Sequence, residues 1–376
     1  RVLPQLSVVK KTLRGYVHRP SCDPQLGDLV STGSMILPSV AVGTWSWGNE
    51  SFGHGLRAGS REAKDAVAAA FNAAVGHGSY FFDTAPTYGR GFAEESLGHL
   101  CRSTGQYAVV ATKHFPRANQ DLTAALLSTA REAAGRLALD GPVDLLQLHR
   151  PAEPPTSLEE QADALAAVIR AGAAKAIGVC NFSLQELRVV QERLQRQGLR
   201  LNTCQVEFSL ARQLPMASGL VNGCRELGIT VLAFSPLAMG RLSGRYDPWG
   251  PAPSWSERRG RNGGAASRPF GATLDEDVDA WHQLLTKLQQ MGQKYGKTCA
   301  QVAINWVLCQ GAVALCGAKD GAQAAENAGA MGWRLSMEDA LLLGALGVTS
   351  WASEFGCTEN GDVILSCSMS IEHVIY

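Results

Sequence analysis

The feature that most restricts this chain is an alternation, repeated eight times, of short β-rich apolar runs with longer helical stretches. The runs fall at residues 40–45, 81–83, 109–113, 144–149, 176–180, 203–208, 230–235 and 313–317. Apolar spacing near 3.6 marks helices between them, as at Leu122, Leu126, Leu127 and Leu137. Hydroxyl residues ahead of acids mark helix starts at Ser157 and Ser183. Eight strand–helix units in register predict an α/β fold, a closed parallel (β/α)8 TIM barrel in a single domain, in preference to an open sheet. With 376 residues, 45% of them apolar, the chain can fill such a core.

Residues outside the repeat are read more simply. Val30 to Leu37 predicts a β-hairpin turning at Gly33-Ser34, a plug for one end of the barrel. Residues 1–29 read as an irregular basic arm with the charge bias of a targeting remnant. Arg1, Lys10, Lys11, Arg14 and Arg19 are its basic residues through position 20, with no acid among them. The barrel is expected over 30–345, with a long Gly-, Pro-, Ser- and Arg-rich loop at 240–275 on its cofactor side, and the tail 346–376 loses periodicity.

Charge and cysteine usage narrow the function. Lys+Arg and Asp+Glu both number 34, which argues against a general nucleic-acid binder. No apolar run of about 18 residues predicts a membrane span. The ten cysteines show no CxxC and no metal-ligand spacing, so they read as buried thiols of a reducing compartment and no metal site is expected.

Three of the predicted strands end in polar residues. Phe81-Phe82-Asp83 breaks into Thr84-Ala85-Pro86-Thr87-Tyr88-Gly89, the run at 109 ends in Lys113, and the run at 144 ends in His149. Strand C-terminal ends are where barrel enzymes carry their chemistry. An Asp–Tyr–Lys–His set at these spacings, with its DTAPTYG segment, resembles the aldo-keto reductases. The wording of Gly43-Thr44-Trp45-Ser46-Trp47-Gly48-Asn49 and Gln301-Val302-Ala303-Ile304-Asn305-Trp306 is similar to the branch that contains pyridoxal reductases.

The resemblance implies NADPH-dependent reduction of a small-molecule carbonyl, with Asp83, Tyr88, Lys113 and His149 catalytic. Tyr88 would be the general acid. A free phenol has a pKa of about 10, which a nearby Lys113 ammonium is expected to lower. Asp83 would keep that lysine charged, and His149 would hold the substrate oxygen. Strand alternation turns His114 away, into a structural role.

Gly89-Arg90-Gly91 fails as a Rossmann fingerprint, because Glu94 stands where the third glycine belongs. The cofactor signal lies instead at Gly317-Ala318-Lys319-Asp320-Gly321, where a strand ends and a helix begins. Free N–H groups at a helix start suit phosphate, and Lys319 suits a 2′-phosphate. By resemblance, Lys319, Gln323, Glu326 and Asn327 hold the adenosine end, although Cys316 replaces the family's usual proline. Asn181 and Gln205 are assigned to the nicotinamide carboxamide, and Phe234 to stacking on the ring. Ser235, Leu237, Gly240 and Leu242 are assigned to the pyrophosphate. Gly43, Thr44, Trp45 and Asp83 complete the expected cofactor contacts, and Arg245 begins a loop that would fold over them. Trp45 and Trp47 are candidate pocket walls.

The second functional reading is a nucleotide-sensing regulatory subunit of the same barrel, similar to potassium-channel beta subunits. The resemblance implies an intracellular soluble protein, of the chloroplast by its branch and of the cytoplasm otherwise. It leaves the oligomeric state open.

Overall fold

In the computed structural model, residues 28–33, 35–49, 57–245 and 278–347 are described. Nearly all of the basic arm, most of the 240–275 loop and nearly all of the tail therefore lie outside the described residues. The barrel strands are β3 (Val40–Gly43), β4 (Phe81–Asp83), β5 (Val109–His114), β6 (Val143–Leu148), β7 (Ala174–Cys180), β8 (Thr203–Glu207), β9 (Thr230–Phe234) and β10 (Val313–Gly317). All pair in parallel, and β10 closes onto β3 through Cys316 opposite Val42.

Helices follow the strands: α1 (Arg61–Gly76), α2 (Phe92–Thr104), α3 (Leu122–Leu137), α4 (Leu158–Arg170) and α5 (Leu184–Gln195). After β8 come the short turn α6 (Leu214–Ala217) and α7 (Leu220–Glu226). Then follow α8 (Val278–Tyr295), α9 (Cys299–Cys309), α10 (Gly321–Ala328) and α11 (Met337–Gly347). Ser157 and Ser183 cap α4 and α5 with full capping boxes, and Thr298 does the same for α9.

Strand parity sorts the core into two. Val40, Val42, Phe82, Val110, Leu146 and Val179 face the helices in one large cluster. Ala41, Phe81, Val109, Ala111, Leu145, Ala176, Leu232 and Leu315 face inward and fill the barrel. The hairpin β1 (Leu29–Thr32) and β2 (Met35–Pro38) closes one end as expected. Its Met35 and Leu37 join the inner cluster, and the Thr32 hydroxyl donates to the Asn202 carbonyl at 2.7 Å, just ahead of β8.

The same parity positions the site. Two residues beyond Phe81, Ala111 and Leu145 come Asp83, Lys113 and Gln147, the next inward layer toward the strand C-terminal ends. Apolar floors thus lie directly below a polar layer. Among the described residues no helix is long and apolar enough to cross a membrane.

Candidate active site

Lys113 is the centre of the polar layer. Its side chain is 0% exposed and Asp83's is 5% exposed. A buried ammonium is tolerable only where each of its three donors finds an acceptor. Lys113 Nζ donates to Asp83 Oδ2 at 2.6 Å, to the Thr84 carbonyl at 3.0 Å and to the Tyr88 hydroxyl at 3.2 Å. Asp83 Oδ1 accepts from Gln205 Nε2 at 2.7 Å and from Gln147 Nε2 at 3.3 Å. Burial opposes the lysine's charge, but Asp83 and Tyr88 outweigh it and hold its pKa above the ordinary value.

The direction of the Lys113–Tyr88 bond has a consequence. Because the ammonium has only protons to give, the Tyr88 oxygen accepts, and its own O–H is left to point elsewhere. The expected net lowering of the Tyr88 pKa does not occur in this structure. Burial raises it most, Asp83 raises it further, and Lys113 lowers it by less than their sum. The phenol therefore holds its proton near neutrality.

His149 follows β6, with its backbone N–H bonded to the His114 carbonyl at 2.8 Å. Burial first, then the charges of Lys113 and Arg150, push its pKa down to about 3. The imidazole is neutral, with one ring nitrogen able to donate. His114 turns outward as parity requires: Nδ1 meets Thr129 Oγ1 at 2.8 Å and Nε2 meets Gln120 Nε2 at 3.0 Å.

Several expected cofactor residues are engaged within the protein. Asn181 Nδ2 donates to the His149 carbonyl at 3.1 Å, and Gln205 is bound to Asp83. Gln205 thus belongs to the polar layer, and Asn181 ties the exit of β7 to His149. The Thr44 hydroxyl is fully buried and donates to the Asp83 carbonyl at 3.1 Å, so its side chain is a strand tie. Leu242 is fully buried as well, and its backbone N–H donates to the Leu237 carbonyl at 3.2 Å, so it shapes the turn from beneath. Trp47 is corrected from pocket wall to core: it is 1% exposed, packs near Phe82, and donates Nε1–H to the Ala318 carbonyl at 2.8 Å. Trp45 stays half-buried, as do Gly43, Phe234, Ser235, Leu237 and Gly240 at their strand ends.

At the β10 end, Gly317 is exposed and Lys319 is half-buried ahead of α10. The helix start is less open than expected, because the Asp320 side chain caps it and accepts from the Gln323 N–H at 2.8 Å. Gln323 Oε1 accepts from the Lys319 N–H at 3.1 Å, and Asn327 Nδ2 donates to the Gly317 carbonyl at 3.1 Å. Arg245 reaches Glu326 at 2.7 Å, joining the start of the long loop to the helix. Two strand exits leave in left-handed backbone without glycine, Asn181 at φ 61° and Ser235 at φ 52°, and Ala238 and Met239 repeat it at 47° and 58°. Such strain persists where a ligand-binding turn needs it. The exposed Gly317, the half-buried Phe234 and Lys319, and the strained 235–240 turn fit an elongated dinucleotide.

Sequence reasoning missed Gln147, which donates to Asp83, Phe115 and Arg150, which adjoin His149, and Cys180, buried at the end of β7 within electrostatic reach of Lys113. Gln147 and Cys180 were reachable by period-2 counting from Leu145 and Ala176. Phe115 and Arg150 lie past strand ends, where no periodicity extends. Among the described residues, no group of three metal-binding side chains forms.

A buried Asp83–Lys113 pair bonded to a half-buried Tyr88, beside a neutral histidine at the C-terminal mouth of a closed barrel, fits an oxidoreductase of the (β/α)8 class. The family model for the aldo/keto reductase family matches residues 39–346, and the chain belongs to that family. It is similar to a chloroplastic pyridoxal reductase of Arabidopsis thaliana, 29% identical over 328 residues, covering 84% of each chain. It is also similar to an L-glyceraldehyde 3-phosphate reductase of Escherichia coli strain K12, 29% identical over 78% of this chain and 84% of that one. Among solved structures, a glycerol dehydrogenase from Gluconobacter oxydans matches with a TM-score of 0.72 at 24% identity, covering 88% of this chain and 98% of its own. An aldo/keto reductase from Klebsiella pneumoniae, in complex with NADP and acetate, matches with 0.63 at 23% identity over 85% and 95%. These two support the fold.

Proposed function

We propose that the protein reduces an aldehyde or ketone to the alcohol, with Tyr88 as the general acid. Its cofactor is NADPH, held by Lys319, Gln323, Glu326 and Asn327 at the adenosine end, by the 235–242 turn along the pyrophosphate, and by Asn181, Gln205 and Phe234 at the ring. When bound, NADPH supplies the hydride.

The chain's own residues do the rest. His149, kept neutral, donates a hydrogen bond to the carbonyl oxygen and orients it. Tyr88 gives that oxygen its proton as negative charge develops there. Lys113 donates to the phenol oxygen throughout, which stabilises the phenolate at the moment of transfer, and Asp83 keeps Lys113 charged. The observation that carries this reading is the Lys113-to-Tyr88 donor geometry, which leaves the phenol proton as the one available for the substrate.

Pyridoxal-type aldehydes are the proposed substrates on the likeness to pyridoxal reductase, and the chloroplast is the proposed compartment on the same ground. The test is NADPH consumption across a carbonyl panel that includes pyridoxal. Absence of turnover on every member would overturn the reading. A tagged precursor found outside plastids would overturn the compartment alone.

A further inference from the structure

The substrate half of the mouth carries a feature that hydride chemistry does not require. Phe115 lies two residues past Lys113, and Arg150 directly follows His149. The Phe115 ring meets His149 edge-on, with centroids 5.9 Å apart and an interplanar angle of 81°. The Arg150 guanidinium lies over the same ring, with Cζ 4.6 Å from its centroid. The proposed orienting histidine and a guanidinium therefore border one aromatic plate.

Arg150 pairs with Glu153 at 2.8 Å, while its Nε is enclosed and has no hydrogen-bond partner. The Glu153 side chain is 55% exposed, so this pair is weak and open to exchange. The neighbouring loops carry a small excess of positive charge. The loops after β4, β5 and β6 carry Arg90, Arg117 and Arg150 against the acids Asp121 and Glu153. Asp121 is occupied as the cap of α3, accepting from the Ala124 N–H at 3.0 Å. Burial depresses both histidines most, and positive charge adds to it, from Lys113 and then Arg150 at His149 and from Arg117 at His114.

We infer that, among the carbonyls the protein reduces, this sector favours those bearing a second, anionic group, a carboxylate or a phosphate, and that Arg150 receives it. The inference rests on the reductase reading above. A guanidinium held flat on an aromatic ring presents its N–H fork in a fixed plane, which suits either oxyanion. Phe115 sets the position of the fork and also forms the wall beside the carbonyl site.

The experiment compares kcat/KM, by NADPH consumption, within two matched pairs: succinic semialdehyde against butanal, and glyceraldehyde 3-phosphate against glyceraldehyde. The first pair isolates a carboxylate and the second a phosphate. The anionic member of at least one pair is expected to lead by about tenfold, the scale of one partly exposed charge-assisted contact. Arg150→Gln should lower that ratio severalfold. Glu153→Gln should raise it, because Arg150 loses its competitor. A folding defect does not produce ratios that move in opposite directions, so the two variants together separate recognition from damage. The inference is overturned if neutral members do as well in both pairs, or if Arg150→Gln lowers both members in proportion. Reduction of the neutral aldehydes with ratios near one would sink it and leave the reductase reading standing. No consumption with any of the four would remove that reading and the inference with it.

Discussion

Asp83→Asn tests the idea that the site is built around a dry, charged lysine. The substitution keeps the shape and removes the charge facing Lys113, whose side chain is 0% exposed. Removing one partner of a buried pair costs about 3–5 kcal/mol. An independent bound agrees. Lysine can escape the penalty by losing its proton, and from an unfolded pKa of about 10.4 that costs about 4–5 kcal/mol at pH 7. The new amide must also point its N–H₂ at Lys113 Nζ or at the Gln205 and Gln147 amides, all of them donors. The expected loss is therefore at least about 3 kcal/mol, a large share of a stability of about 5–15 kcal/mol.

The pH dependence supplies the sign. In the wild type the Lys113 pKa is raised, so its contribution is complete below the unfolded pKa and declines only as pH climbs through the folded value. In the variant, a lysine that folds neutral leaves the unfolded chain holding one more proton, so stability rises with pH. The gap should then narrow by about 1.4 kcal/mol per unit between pH 8 and 10. Denaturant melts at pH 7, 8, 9 and 10 measure it. If Asp83→Asn alone proves too unstable, the double variant with Lys113→Met should recover stability relative to it, since neither charge is then stranded. A loss below about 1 kcal/mol at pH 7, or a double variant no more stable than the single, would refute the reasoning.

Three further outcomes are expected. Tyr88→Phe should lower kcat by at least about 100-fold while NADPH still quenches protein fluorescence on binding; near-normal turnover would remove Tyr88 as the acid. Lys319→Ala should weaken NADPH binding by about tenfold and leave NADH nearly unchanged, the low end of a charge-assisted contact because Lys319 is half-buried; equal losses would mark the α10 start as framework. The protein should lose stability as pH falls from 6.5 toward 3, because the unfolded chain protonates His149 near 6.5 whereas the native state resists until about 3. His149 alone accounts for about 2 kcal/mol by pH 5, and a His149→Asn variant whose melts show an unchanged acid slope would contradict this.

The barrel was legible because its evidence is local. Period-2 runs, capping signals at Ser157 and Ser183, and the Gly33 turn each report on a few neighbouring residues. The set Asp83, Tyr88, Lys113 and His149 was legible as strand-end polarity plus resemblance. The net direction of the Tyr88 pKa was not, because it depends on how deeply the whole mouth encloses one hydroxyl, which no spacing encodes. Trp47 shows a related limit. A tryptophan past a strand end suits a wall or a core equally, and only the distant Ala318 carbonyl decides. The start of α10 is a further case: the sequence shows Lys319 and a helix beginning, and the cost to the phosphate reading appears only when the Asp320 carboxylate is seen on the Gln323 N–H.

The distribution of strain separates the two ends of the barrel. Among the described residues, seven that are not glycine have positive φ: Arg90, Asn119, Ala138, Asn181, Ser235, Ala238 and Met239. All but Ala138, which follows α3 at the opposite end, lie on loops leaving strand C-terminal ends. Each left-handed non-glycine residue costs about 1–2 kcal/mol, so the mouth as a whole is held in a conformation its own backbone disfavours. The closed strand ladder and the two apolar clusters below and around it are what can offset that cost. The floors, where Phe81, Leu145 and Leu315 pack, supply the apolar part of the offsetting stability, and the bonded Asp83–Lys113 layer above them adds to it. Lys113 stands at the boundary between floors and mouth, low enough for its charge to act in an apolar surrounding and high enough to reach Tyr88.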